Sequence, residues 1–161
     1  MLDRSIIVLT FFSALGSGLM AGLFFAFSTF MMTALSRLPA AQSIAAMQSI
    51  NVVILNPLFG LVFSGTALAS ILLAITSFFR LGEPAANYLL AGSLFYLIGS
   101  VLITIVFNVP LNEMLASADP SVAGSELWTR YVASWMPWNH VRTISTLASL
   151  VCFIIAFRHS G

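Results

Sequence analysis

The sequence predicts an all-α integral membrane protein, a bundle of four transmembrane helices with short interfacial helices on one face. Hydrophobic residues fill 60% of the 161 positions and charged residues only 7%, whereas a soluble domain carries about 25% charged residues and at most about half apolar ones. A water-soluble fold of this size could not hide so much apolar surface. The apolar residues also gather into four long runs, near 6–35, 57–79, 86–107 and 137–157, each of a length suited to a hydrocarbon core of about 30 Å. Finally, arginines and prolines punctuate the ends of these runs, as at Arg37-Leu38-Pro39, Asn56-Pro57, Arg80, Pro84, Pro137 and Arg158.

The first run, Ile6 to Leu35, would extend about 45 Å as a helix and must tilt or project beyond the membrane. Arg4 before an apolar stretch imitates a secretory signal. The stretch is too long for a signal core and lacks a convincing cleavage site, so it is expected to stay in the mature chain. From Pro39 to Val52 helix formers with modest polarity predict a short helix at the interface. The second run opens with Asn56-Pro57, an N-cap followed by a proline that gives up only an N–H no helix bond needs. The third leads into Asn108-Val109-Pro110-Leu111-Asn112, where Pro110 either ends or kinks the helix. A second interfacial helix is expected over 121–135, with Glu126 and Arg130 spaced for an i,i+4 pair and Trp128, Tyr131 and Trp135 as headgroup anchors. The fourth run starts at Pro137 and ends at Arg158-His159. No connection is long enough to imply a second domain, so residues 1–161 are expected to form one.

Charge and cysteine usage remove several functions. A net charge of +1 without any basic run offers no field to nucleic acid. Cys152 is the single cysteine, which excludes intrachain disulfides and thiolate clusters. There is no Gly-rich phosphate loop; the glycines lie inside apolar helices, where packing explains them. Ala14, Gly18 and Gly22 repeat every four residues, with Gly16 beside them, and Gly60, Ser64, Gly92 and Gly99 give similar faces elsewhere. These faces are assigned to packing within the bundle, with a homo-oligomer as their alternative use. Arg4, Arg80 and Arg158 fall on one side of a four-span chain and Arg37 and Arg130 on the other, which puts both termini in the cytoplasm by a narrow margin.

The polar residues are the informative pattern. Asn51 and Asn56 precede the second span, Asn108 and Asn112 close the third, and Asn139, His140, Arg142 and Thr143 open the fourth; all lie toward one membrane face. Such groups need partners near apolar helix ends, and an ionisable one there is costly unless it is paired, hydrated or functional. A purely structural account has Asn56 and Asn139 capping helices, Asn108 satisfying carbonyls near Pro110, and Arg142 reaching the interface or pairing with Glu113. The functional account makes them a pocket. Phe24, Phe25, Phe27 and Phe30 read first as core and lipid contacts, with Phe24 and Phe27 as candidates for the wall of that pocket. His159, beside Arg158, reads as a solvent-facing tail residue.

Gly18-Leu-Met-Ala-Gly22, Phe24-Phe-Ala-Phe-Ser-Thr29, Met47-Gln-Ser-Ile-Asn51, Asn56-Pro-Leu-Phe59, Asn108-Val-Pro-Leu-Asn112 and Trp138-Asn-His-Val-Arg-Thr143 together make the chain resemble the anthrone oxygenase-like membrane proteins, the DUF1772 family. The resemblance runs over nearly the whole chain. It implies a cofactor-independent oxygenase acting on an anthrone-like or other phenolic or quinone-type apolar substrate with O2, in the inner membrane of a bacterium, since most members are bacterial. The positions matching the family's polar motifs are Asn56, Asn108, Asn112, Trp138, Asn139, His140 and Arg142; read by their chemistry, His140, Arg142, Asn108 and Asn139 are the catalytic candidates, and Asn56, Asn112, Trp138, Phe24 and Phe27 the substrate-binding ones. In that chemistry a neutral histidine would take the methylene proton, while asparagine N–H groups and arginine would stabilise the oxygen anion. No metal site is expected, because a lone intramembrane histidine cannot supply the usual ligand set; haem held by His140 alone is the variant. The competing class is a non-enzymatic membrane protein that binds or transports a small molecule.

Overall fold

The computed structural model of the chain describes residues 4–159, in which every regular element is helical. Four helices are long and apolar enough to cross a membrane: α1 (Arg4–Leu35), α3 (Pro57–Phe78), α4 (Pro84–Ala116) and α5 (Ser125–Arg158). The short α2 (Ala40–Val53) joins the first two. Each long helix packs on its neighbour in sequence, and α5 closes the ring against α1, giving the up-and-down arrangement that short connections favour. Phe11 of α1 meets Phe157 of α5 at 6.0 Å between ring centroids, and Tyr88 at the start of α4 stacks on His159 at 6.0 Å. Both described ends of the chain therefore lie at one end of the bundle.

Burial runs opposite to that of a water-soluble bundle. Phe12, Leu19, Leu61 and Ile144 face outward, while Thr10, Ser13, Ser17, Ser70, Ser93 and Thr146 are fully buried. Lipid tails are as apolar as leucine, so burying leucine between helices gains little, whereas small hydroxyl residues allow close approach and hydrogen bonding across it. Ser17 and Ser149 hydroxyls meet at 3.2 Å, Ser149 Oγ donates to the Gly92 carbonyl at 2.8 Å, and Tyr96 OH donates to the Phe63 carbonyl at 3.2 Å. Close contact in α1 is made at Gly16, where a Cβ would overlap Thr66 of α3. The expected stripe does less: Gly18 makes only ordinary contact with Leu150, and Gly22 faces open space.

Both Pro110 and Pro137 lie inside helices. Of the two outcomes open at Pro110, the structure has the continuing helix, and the third span runs on to Ala116. A proline ring clashes with the carbonyl four residues earlier in a regular α-helix, and the wider π-helical turn at Thr104–Asn108 opens the ladder just before it. The fourth span does not start at Pro137; α5 runs unbroken from Ser125 through it, and the separate interfacial helix expected over 121–135 is mostly its first turns, about three of them. The missing N–H costs one helix bond, which tertiary packing on both sides offsets. At 34 residues the helix is about 51 Å long and stands beyond the hydrocarbon at this end.

That projecting segment forms a cap with α2. Trp128, Tyr131 and Trp135 are buried with Phe27, Met32, Ile44, Met47 and Leu115, so they are core of the cap and not headgroup anchors. Gln48 Nε2 donates to the carbonyls of Leu115 and Ala118 at 2.8 and 2.9 Å, satisfying the open end of α4 from α2. Trp128 Nε1 donates to Ser36 Oγ at 3.2 Å. The expected Glu126–Arg130 pair does not form; both side chains are exposed, and the ion pair present among the described residues is Arg80–Glu83 at 3.1 Å.

Candidate functional site

Beneath the cap lies a cavity of about 810 Å³, walled by α1, α2, α3, α4 and α5. Its surface is mostly apolar: Leu23, Phe24, Phe27, Met47, Phe59 and Phe63 make much of the wall, and Gln48, Asn51, Asn56, Thr104, Asn112, Glu113 and Arg142 supply polar groups. Two stretches of π-helix flank it, Phe27–Met31 in α1 and Thr104–Asn108 in α4. Each extra residue in a turn rotates the remainder of the helix about its axis. Ser28 and Thr104, the hydroxyls that meet the α5 network, both lie in these turns.

Arg142 is the central group. It is 6% exposed and, among the described residues, no carboxylate pairs with it; the pairing with Glu113 allowed by the sequence does not form. Its Nη2 donates to Asn139 Oδ1 at 2.8 Å and its Nη1 to Thr104 Oγ1 at 3.2 Å. The guanidinium lies over the rings of Phe24, at 4.4 Å, and Trp135, at 5.1 Å, each contact contributing on the order of 2 kcal/mol when desolvated. Its Nε–H has no acceptor among the described residues. A desolvated cation with an unmatched donor on an apolar cavity is costly by several kcal/mol. An oxygen anion placed in the cavity would relieve that cost.

Asn139 is a bracket for the arginine. Its Nδ2 hydrogens go to the Phe24 carbonyl at 2.9 Å and Ser28 Oγ at 2.8 Å; a carbonyl can only accept, so the amide orientation is fixed. With both hydrogens committed and its oxygen on Arg142, Asn139 has no N–H left for a ligand. The expectation that it would itself stabilise an anion is corrected to holding the residue that can. Ser28 Oγ also meets Thr143 Oγ1 at 2.9 Å and His140 Nδ1 at 3.0 Å, while Thr143 Oγ1 donates to the Asn139 carbonyl at 2.9 Å. These bonds are all satisfied if Ser28 donates to Thr143 and His140 carries its proton on Nδ1.

Of the other sequence candidates, Phe24, Phe27, Asn56 and Asn112 line the cavity with Arg142. Asn112 Oδ1 accepts from Tyr131 OH and Trp135 Nε1, both at 2.9 Å, which fixes the amide with its NH2 group free of those bonds. Asn56 is also the N-cap of α3, accepting from Phe59 N at 3.0 Å. Asn108 is buried behind the wall, with a long 3.4 Å bond to the Trp135 carbonyl and an unpartnered Oδ1. His140 and Trp138 are not part of the lining. His140 is exposed on the outer side of α5 and Trp138 stacks on Phe107 at 3.6 Å. Among the described residues no group of three His, Cys, Asp or Glu side chains is gathered.

Sequence reasoning did not single out Gln48, Thr104, Ser28 or Trp135 for this site. Gln48 and Asn51 are i,i+3 on a helix, a spacing that could have placed both on one face. Thr104 is likewise four residues before Asn108. Ser28 had no such signal within its phenylalanine-rich run.

A family model described as anthrone oxygenase matches residues 54–152, which takes in α3, α4 and most of α5, and with them Asn56, Thr104, Asn112, Glu113, Asn139 and Arg142. No match is found among curated proteins or among solved structures.

Proposed function

Since the chain belongs to the anthrone oxygenase family, we propose that it oxidises a flat, apolar aromatic ketone of the anthrone kind, in which a methylene lies across a ring from the carbonyl. The observation that carries this reading is Arg142, a buried cation that lines an apolar cavity and, among the described residues, pairs with no carboxylate. Removing a methylene proton sends its electron pair through the ring system to the carbonyl oxygen. The guanidinium of Arg142 is suited to that oxygen, and preorganised donors act most strongly where charge develops in a dry site. The electron-rich carbon then reacts with O2 to give a hydroperoxide, which loses water to leave a second carbonyl. Ketone plus O2 gives diketone plus one water, so no external reductant is required.

The surrounding residues have separate tasks in this scheme. Asn139 and Ser28 position the guanidinium. Phe24, Phe27, Phe59 and Phe63 offer ring faces to a flat substrate, which would partition into the bilayer before entering. His140, outside the lining, supports Ser28 and does not take the substrate's proton.

The test is direct. Protein purified into lipid nanodiscs is given anthrone while oxygen uptake and product mass are followed. One O2 consumed for each anthraquinone formed, above the uncatalysed rate, is the expected result. Saturable anthrone binding without oxygen uptake would overturn the oxygenase reading and leave a binding or transport role.

A further inference from the structure

The geometry points to Glu113 as the general base of this cavity, the group that takes the methylene proton while Arg142 holds the oxygen. The assignment rests on the oxygenase reading above. Glu113 and Arg142 are the ionisable side chains on the cavity wall, of opposite sign and not paired with each other. The remaining described carboxylates are elsewhere: Glu83 is held by Arg80 at the other end of the bundle, Asp119 accepts from Ser121 N and Oγ at 2.8 and 2.7 Å, and Glu126 is not part of the lining.

Glu113 lines the same cavity as Thr104 of α4. Thr104, Ile105, Val109, Asn112, Glu113 and Ala116 all line the cavity. Thr104, which accepts from Arg142, precedes Glu113 by nine residues, roughly 13 Å along the axis. Arginine and glutamate side chains are long enough to shorten that separation from both ends. A ring held between them, with a hydrogen-bond length of about 3 Å at each end, requires a gap of roughly 10 Å. The carbonyl oxygen and the acidic methylene of the proposed substrate lie on opposite edges of one ring, which is the arrangement two separated groups of opposite sign can grip. A carboxylate is a workable base for a carbon acid when the enolate it leaves is stabilised. The proton goes from the methylene carbon to a Glu113 oxygen, the C–H electron pair goes to the ring and carbonyl, and the glutamic acid can return the proton to the peroxide before water is lost.

Proton removal can be isolated from oxidation by working under argon. In D2O, the wild-type protein in nanodiscs should speed deuterium incorporation into the anthrone methylene above the uncatalysed rate. Glu113→Gln should slow that enzymatic exchange on the order of 10²-fold or more while anthrone binding, followed by tryptophan fluorescence, stays within about twofold of wild type. Glu113→Ala should recover part of the exchange when acetate is added. Because Glu113 is exposed, neither change is expected to disturb folding, and Glu126→Gln, outside the cavity, should match wild type. Wild-type exchange by folded Glu113→Gln overturns the assignment of the base while leaving the oxygenase reading intact if oxygen uptake persists. Failure of the wild type both to exchange and to consume oxygen overturns the two together.

Discussion

Arg142 stands sixteen residues before Arg158 on α5, about 24 Å from the terminal face and so within the length of a hydrocarbon core of about 30 Å, and among the described residues no carboxylate pairs with it. A residue placed there for stability alone would be better replaced by an apolar one of similar volume. Arg142→Met is therefore expected to leave the thermal unfolding temperature unchanged or raised, while anthrone turnover falls at least about 10²-fold, the effect typical of losing an oxyanion donor. A large fall in stability with turnover retained would assign Arg142 to structure. His140→Asn tests the opposite expectation: an asparagine amide can replace Nδ1–H toward Ser28, so turnover should remain within about threefold, well below the loss expected on removing a general base. Steady-state oxygen uptake at matched folded concentration measures both. Asn139, Arg142, Asn112 and Asn56 were legible in the sequence because polar side chains at apolar helix ends are conspicuous. Which of the adjacent Asn139 and His140 faces inward was not legible, since neighbours on a helix point about 100° apart and the flanking residues are apolar on both sides.

At the scale of elements, the lengths of the apolar runs located all four crossings, and hydropathy is a strong signal there because every backbone group in lipid must bond internally. The same signal did not fix the ends at prolines. Pro137 looked like a start and Pro110 could end or kink its helix, but each lies inside a helix whose two sides are packed, and no local rule reports that packing. The π-helical turns were also invisible, although they bring Ser28 and Thr104 into the Arg142 network. Glycine spacing identified the packing helix but not the contact. Gly16→Ala should lower stability by about 1–3 kcal/mol because its Cβ overlaps Thr66, and adding Thr66→Ala should recover part of that loss. Gly22→Ala, facing open space, should be neutral or stabilise by up to about 1 kcal/mol through helix propensity. Thermal unfolding of these three variants and of Thr66→Ala alone in one detergent gives the coupling between positions 16 and 66; equal effects at positions 16 and 22 would remove the argument for a specific α1–α3 contact.

For the whole molecule, the bundle is polarised: the cavity, the cap and α2 lie at one end, and the described chain ends and the α3–α4 turn at the other. Arg4, Arg80 and Arg158 are at the terminal end, and Arg37 and Arg130 at the capped end, where Glu113, Asp119 and Glu126 also lie. Acidic residues contribute little to insertion, so the arginine count governs, and it favours a cytoplasmic terminal end. The cavity would then open toward the extracytoplasmic half of the bilayer, and a substrate dissolved in that leaflet could enter without crossing the membrane. Arg37→Cys and Arg80→Cys, each in a Cys152→Ala background, separate the two ends. Neither change should harm folding: Arg37 is exposed, and the partly exposed Arg80–Glu83 pair belongs to a class worth about 0–1 kcal/mol. With a membrane-impermeant maleimide applied to intact cells, position 37 should label at once and position 80 only after permeabilisation. The reverse pattern would invert the protein and place the mouth of the cavity on the cytoplasmic side, where a freshly made aromatic product could be taken up before it partitioned into lipid.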